Sequence, residues 1–194
     1  MILKDKNKET EGLVEELLRR MGEDPNREGL LETPGRVRRS LEYLTGGYAV
    51  DSGELVNGAL FEETYDEMVV VKNIEFYSLC EHHLLPFYGR CHLGYIPNGK
   101  VVGLSKIPRF VDKFARRLQL QERMTDQIAS ELFDILGAKG LGLVVDGYHL
   151  CMMMRGVQKQ NSYTVTSSMK GNFMNNSETR AEFMAHVQSL RMGS

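Results

Sequence analysis

Between Ser78 and Gly89 the chain reads SLCEHHLLPFYG, and three of these residues, Cys80, His82 and His83, can bind a metal or move a proton. Cys80 and His83 have C-x-x-H spacing, which suits a tight turn or a first helical turn, where residues three apart share a side. A zinc site takes three or four ligands, so this stretch is incomplete by itself. Further along, His149 and Cys151 close the run LGLVVDGYHLC. On an extended chain, positions two apart share a face, so both are expected to point the same way. If that strand end meets the 80–83 turn, Cys80, His83 and Cys151 form a three-ligand set. Two thiolates and one imidazole suit zinc. Three protein ligands leave a position open for a water whose pKa the metal lowers.

A closed four-ligand site of Cys80, His83, Cys91 and His92 competes with this reading. However, Cys91 alternates in phase with Leu93 and Tyr95, which places it in the core as a small hydrophobe. His92 then faces the other way, so the two could join one site only through a bulge. His186, beside apolar residues on the last helical segment, reads as a surface or half-buried side chain rather than a ligand. A nucleoside-deaminase zinc site would need H-x-E with C-x-x-C, and the chain has no C-x-x-C.

Anion-binding groups come next. Ser105, Lys106 and Arg109 open a helical pattern, so a hydroxyl, an ammonium and a guanidinium gather at a helix N-terminus. Arg155 follows Cys151 by four residues, and Arg36 and Arg39 form a second basic patch. Each alone reads as a solvated surface charge; together they point to a substrate with several negative charges. The net charge of −2 lacks the basic balance of a nucleic-acid binder.

These residues need elements to position them. The 194 residues, 42% hydrophobic, are enough to bury a normal core. The segment 1–66 reads as an N-terminal helical region and connection. Leu13, Val14, Leu17, Leu18 and Met21 fall on one helical stripe, and a second helix opens at Thr33-Pro34 and stops at Gly46-Gly47. Residues 48–66 read as an irregular, acidic connection. From 67 to 194 the pattern gives two strands, two helices and two strands, then a C-terminal helix capped by Ser177. MVVVKNIEFYS is the first strand, and YGRCHLGYIPNGKVVGL reads as a hairpin turning at Pro97-Asn98-Gly99. Ile107, Phe110, Val111, Phe114 and Leu118 share one helical face. Met124, Ile128, Leu132 and Ile135 share another, ended by Gly137. Short turns between strands imply an α+β domain: an antiparallel sheet with helices on one face. Three cysteines are too few for a secreted disulfide scaffold. MILKDKNKETEG has no apolar stretch for a signal peptide. No run approaches the roughly 18 apolar residues of a membrane span. The expectation is a cytoplasmic protein with reduced thiols.

CEHHLLPFYG, YIPNGKVVGLSKIPR, RRLQLQERMTDQI, HLCMMMRGVQK and TVTSSM, in this order and with ETPGRV before them, closely resemble the zinc-dependent GTP cyclohydrolase I family. The resemblance covers nearly all of residues 10–190. It implies the tunnelling fold, with the sheets of subunits joined into barrels. It also implies a homo-oligomer, a decamer of two stacked five-fold rings with active sites between subunits. The implied reaction converts GTP and water to formate and 7,8-dihydroneopterin triphosphate, the first step towards folate or tetrahydrobiopterin. It proceeds by attack of zinc-activated water at purine C8. The family's zinc ligands fall on Cys80, His83 and Cys151. His82 matches the histidine working beside the metal and His149 the second proton-transfer histidine. Ser105, Lys106, Arg109 and Arg155 match triphosphate-site residues, Ser105 also assisting ribose opening, with Arg39 standing where some relatives carry lysine. Gln121, counted with the catalytic groups, and Glu122 match the pair near the guanine. Glu81 is placed next to the ligands, orienting a histidine. The rivals are a nitrile reductase on the same fold, using a cysteine nucleophile and NADPH, and a zinc scaffold without activity. Proton carriers beside an open metal argue against the scaffold. Nothing in the sequence specifies a regulatory partner protein.

Overall fold

The computed structural model describes residues 2–188. Two compact units result, Met1–Gly46 and Gly47–Ser194. The first holds α1 (Ile2–Arg20) and α2 (Thr33–Leu44). Pro34 sits in the first turn of α2, where its missing N–H costs no helical bond. Arg38 of α2 bonds Glu11 of α1 at 2.8 Å and Glu42 on its own helix at 2.8 Å. The apolar stripe of α1 divides: Val14 and Leu18 are half-buried, while Leu13, Leu17 and Met21 are exposed.

The second unit begins with elements inside the segment expected to be irregular. These are α3 (Ser52–Val56), capped by the Asp51 carboxylate, and β1 (Leu60–Glu62). Then come β2 (Val69–Cys80), β3 (Pro86–Ile96), β4 (Lys100–Val102), α4 (Lys106–Ala115), β5 (Leu118–Gln119) and α5 (Gln121–Leu136). The chain finishes with β6 (Gly140–His149), α6 (Leu150–Met153), β7 (Thr164–Gly171), α7 (Asn172–Asn175) and α8 (Ser177–Gln188). The main sheet runs β5-β2-β3-β6-β7. It is antiparallel except for the β2–β5 pairing.

The expected hairpin at Pro97–Gly99 is not one. β4 leaves the main sheet and pairs with β1, because both flanks of β3 are already taken by β2 and β6. Leu118, expected on the α4 face, falls in β5 beside β2. The rest of that face holds: Ile107, Phe110, Val111 and Phe114 are buried with Met124, Ile128 and Leu132 of α5 against the sheet. Gly137, in the left-handed region at φ 55°, ends α5 as its lack of Cβ allows. Lys113 sits buried between α4 and α5, where its ammonium pairs with Glu131 at 2.7 Å and touches the Ser52 hydroxyl.

A second, smaller cluster covers part of the other sheet face, with Phe173 of α7 and Phe183 and Val187 of α8 against Val144. The cap of α8 is Asn176, not Ser177. Its Oδ1 accepts the N–H groups of Glu178 (2.8 Å) and Thr179 (3.1 Å). Asn176→Ala should therefore cost about 1 kcal/mol, read as a lower denaturant midpoint, whereas Ser177→Ala should leave it nearly unchanged.

Candidate active site

β2 ends on Cys80 and β3 begins on Pro86, so the CEHH residues occupy the turn between two central strands. Cys80 closes this turn with its own backbone. Its N–H donates to Leu85 O at 2.9 Å, and its carbonyl accepts from His83 N (3.3 Å) and Leu84 N (2.9 Å). Leu84 takes φ 55° to complete the loop, an uncommon conformation for a residue with a Cβ. The turn buries Cys80 and leaves His82 and His83 exposed. The Cys80 Sγ lies 3.9 Å from Nδ1 of each histidine. These three donor atoms all fall within 4.8 Å of one another.

Cys151 reaches the group by a different route from the one its spacing suggested. β6 ends at His149 and the chain turns at once into α6, so His149 and Cys151 do not share a strand face. The helical turn sets the Cys151 thiol near Cys80, close enough for the two sulfurs to interact electrostatically. Burial pushes the Cys151 thiol up from its ordinary range, and the Cys80 sulfur raises it further, against a smaller opposing pull from Arg155. One thiol and two imidazoles thus converge on the turn, with the Cys151 thiol near Cys80. Such a soft donor set fits a tetrahedral divalent ion, whose charge would deprotonate the thiols.

His149 lies beside this group, clamped on two sides. Its ring stacks on Phe87 at 4.7 Å with 2° between planes, and its Nε2 is 2.8 Å from Gln121 Oε1. Burial holds His149 below the usual histidine range, against a smaller opposite pull from the Glu122 carboxylate. The ring is thus kept neutral and ready to accept a proton at neutral pH. Glu81 does not orient a histidine. It forms a two-pronged pair with Arg123 of α5, at 2.5 and 3.0 Å, and that guanidinium holds its carboxyl below the usual range. The pair ties the ligand turn to the first turn of α5. No sequence signal marked Arg123, because the partners are 42 residues apart.

The closed alternative site does not form. Cys91 is fully buried on the helix-covered face. His92 turns to the other face, where Nδ1 accepts from Asn73 N–H at 3.4 Å and Nε2 lies 3.6 Å from the Asp146 carboxylate. His186 is half exposed near Glu182.

Of the expected anion-binding groups, Arg155 is within electrostatic reach of Cys151. Ser105 and Arg109 stand exposed and Lys106 half-buried at the start of α4, and the Ser105 hydroxyl is not spent on capping. Among the described residues, no hydrogen bond or ion pair ties Ser105, Lys106 or Arg109 to the cysteine–histidine group. Arg39 lies exposed on α2 in the first unit, lining a shallow pocket with Arg36, Ser40 and Tyr43. No helix among the described residues is long and apolar enough to cross a membrane.

The family model described as GTP cyclohydrolase I matches residues 10–188. A GTP cyclohydrolase 1 of Leptospira biflexa is 60% identical over 179 residues, 92% of this chain and 98% of that protein. One from Campylobacter jejuni is 55% identical over 184 residues, 95% of this chain and 97% of that protein. Among solved structures, the apo crystal structure of an archaeosine synthase of the QueF-like type shares 16% identity at a TM-score of 0.45, covering 54% of this chain and 93% of that one.

Proposed function

Since the chain belongs to the GTP cyclohydrolase I family, we propose that it converts GTP and water to 7,8-dihydroneopterin triphosphate and formate at a zinc site held by Cys80, His83 and Cys151. The observation that carries this is the gathering of Cys80, His82 and His83 on one turn with the Cys151 thiol near Cys80, within a chain matched to the family over almost its whole length. A zinc ion held there supplies Lewis acidity that turns water into a nucleophile at neutral pH.

The chain's own residues do the rest. His82, exposed on the ligand turn, takes and returns protons on the substrate side. His149, neutral and fixed against Phe87, is the second proton carrier; histidine suits both tasks near pH 7. Opening the imidazole ring, releasing formate and closing the pterin ring each move protons, so one carrier would not suffice. Glu122, at the start of α5 near His149, accepts from the ring N–H and exocyclic amine of guanine, a pairing adenine cannot offer. Arg155 brings positive charge to the metal side of the pocket. Ser105, Lys106, Arg109 and Arg39 complete the triphosphate clamp, with Ser105 also assisting ribose opening.

In the decamer that the family resemblance implies, the active sites lie between subunits. The sheet ends on edge strands β5 and β7, and uncovered edges are a liability, which supports closure of subunit sheets into a barrel.

The test is substrate loss with formate release: GTP is consumed and ATP is not. Consumption of both at similar rates sinks the proposal. His82→Ala should keep its zinc and lose about 10²–10⁴-fold in turnover, the usual share of a positioned proton carrier. Near-normal pterin fluorescence from that variant would refute the assignment.

A further inference from the structure

Gln121 opens α5 with its side chain turned inward, and it is 1% exposed. Its Nε2 faces three acceptors: Val145 O at 3.0 Å, Thr164 O at 2.9 Å and Thr166 Oγ1 at 3.1 Å. Two of these are backbone carbonyls, which only accept, so the atom facing them is the NH₂. That fixes the other end of the amide: the oxygen faces His149 Nε2, at 2.8 Å. A carbonyl oxygen only accepts, so Nε2 of His149 carries a hydrogen. The alternative tautomer would set two lone pairs against each other, and flipping the amide to relieve this would set its oxygen against two carbonyls.

The anchor is itself braced. Thr125 donates its hydroxyl hydrogen to Gln121 O at 2.7 Å, so the 2.7 Å contact between the two threonine hydroxyls is donated by Thr166. Gly147, in β6, leaves the space this requires: a Cβ there would come within 2.2 Å of Gln121 Oε1.

We propose that Gln121 is a positioning residue: it holds His149 in the tautomer with hydrogen on Nε2, leaves Nδ1 as the ring's acceptor, and takes no part in reading the base. This rests on the reading of His149 as a proton carrier. It reassigns Gln121, which the family resemblance set beside the guanine. A side chain with its NH₂ committed to the β6–β7 backbone and almost no exposed surface is out of a substrate's reach.

Zinc-loaded protein labelled with ¹⁵N-histidine tests this directly, the His149 signal being the one lost in His149→Ala. The expected pattern is a pyrrole-type Nε2 and a pyridine-type Nδ1; the reverse overturns the proposal. Gln121→Met keeps the bulk and removes the relay. Its kcat should fall about tenfold or more while KM for GTP stays within about twofold and the zinc content holds. A raised KM with kcat preserved would assign Gln121 to base recognition and overturn it. Because Gln121→Met takes a donor away from two backbone carbonyls, Thr166→Val is the milder second variant. It should blur the ¹⁵N pattern toward mixed tautomers and lower kcat by about two- to fivefold; an unchanged spectrum with unchanged kcat counts against the relay. Full activity in His149→Ala would remove the proton-carrier reading and this one with it. An inactive His149→Ala beside a fully active Gln121→Met would defeat the positioning role alone.

Discussion

Cys151→Ala is expected to empty the metal site. Protein purified under reducing conditions should carry about one zinc per chain, and the variant less than about a tenth of that, since a site losing one of three ligands loses most of its affinity. Pterin formation should fall by well over about 100-fold, because changing a group that merely orients a ligand already costs 10–100-fold. The experiment matters because the chain offers two trios. Cys80, His82 and His83 have the donor atoms that lie mutually close, while Cys151 interacts electrostatically with Cys80. The choice of Cys151 follows the family resemblance, and chemistry favours it. A second thiolate offers a soft, anionic ligand where His82 offers a neutral one, and it leaves His82 free for protons. Metal analysis of Cys151→Ala beside His82→Ala separates the two. Zinc kept in the first and lost in the second would make His82 the ligand and end its role as a proton carrier.

The parts of this site that were legible in the sequence are those held by local chemistry. C-x-x-H spacing on a short turn needs no distant partner, and the structure closes that turn through Cys80's own backbone. The α4 and α5 faces were legible because their burial follows helical period. Failures came where distant segments decide the outcome. Strand period predicted a shared face for His149 and Cys151, yet β6 stops at His149, and a helical turn swings Cys151 towards Cys80. The Pro97–Gly99 turn looked like a hairpin because its turn chemistry is sound, but β3 has no free flank for β4. Glu81 had two neighbouring histidines that could have claimed it, and Arg123, 42 residues away, did. The Gln121 relay was illegible for the same reason. Its partners are Val145, His149, Thr164 and Thr166, each on a strand whose register no single residue announces.

Gly89→Ala should be the most damaging single methyl in the second unit. Gly89 of β3 pairs with Gly147 of β6. A Cβ on Gly89 would stand 1.8 Å from Asp146 O and 3.0 Å from Gly147 Cα. Both obstacles are backbone, so no rotamer relieves the contact and the two central strands must part. That opening falls two residues from the Phe87–His149 register pair, whose rings stack at 4.7 Å. Backbone strain of this kind belongs to the upper tail of point-mutation effects. A loss of at least about 3 kcal/mol is expected, or failure to accumulate folded protein. Gly103→Ala is the control: its Cβ would meet nothing nearer than 3.7 Å, so it should stay within about 0.5 kcal/mol of wild type. Denaturant midpoints should be compared at equal chain concentration, because assembly of subunits shifts apparent stability. If folded Gly89→Ala is recovered, its kcat should fall further than its KM rises, because the strand that carries Phe87 no longer holds the face His149 rests on. A Gly89→Ala protein with wild-type midpoint and wild-type turnover would mean that the ladder opens at no cost beneath the site. His149 would then owe its place to Gln121 alone.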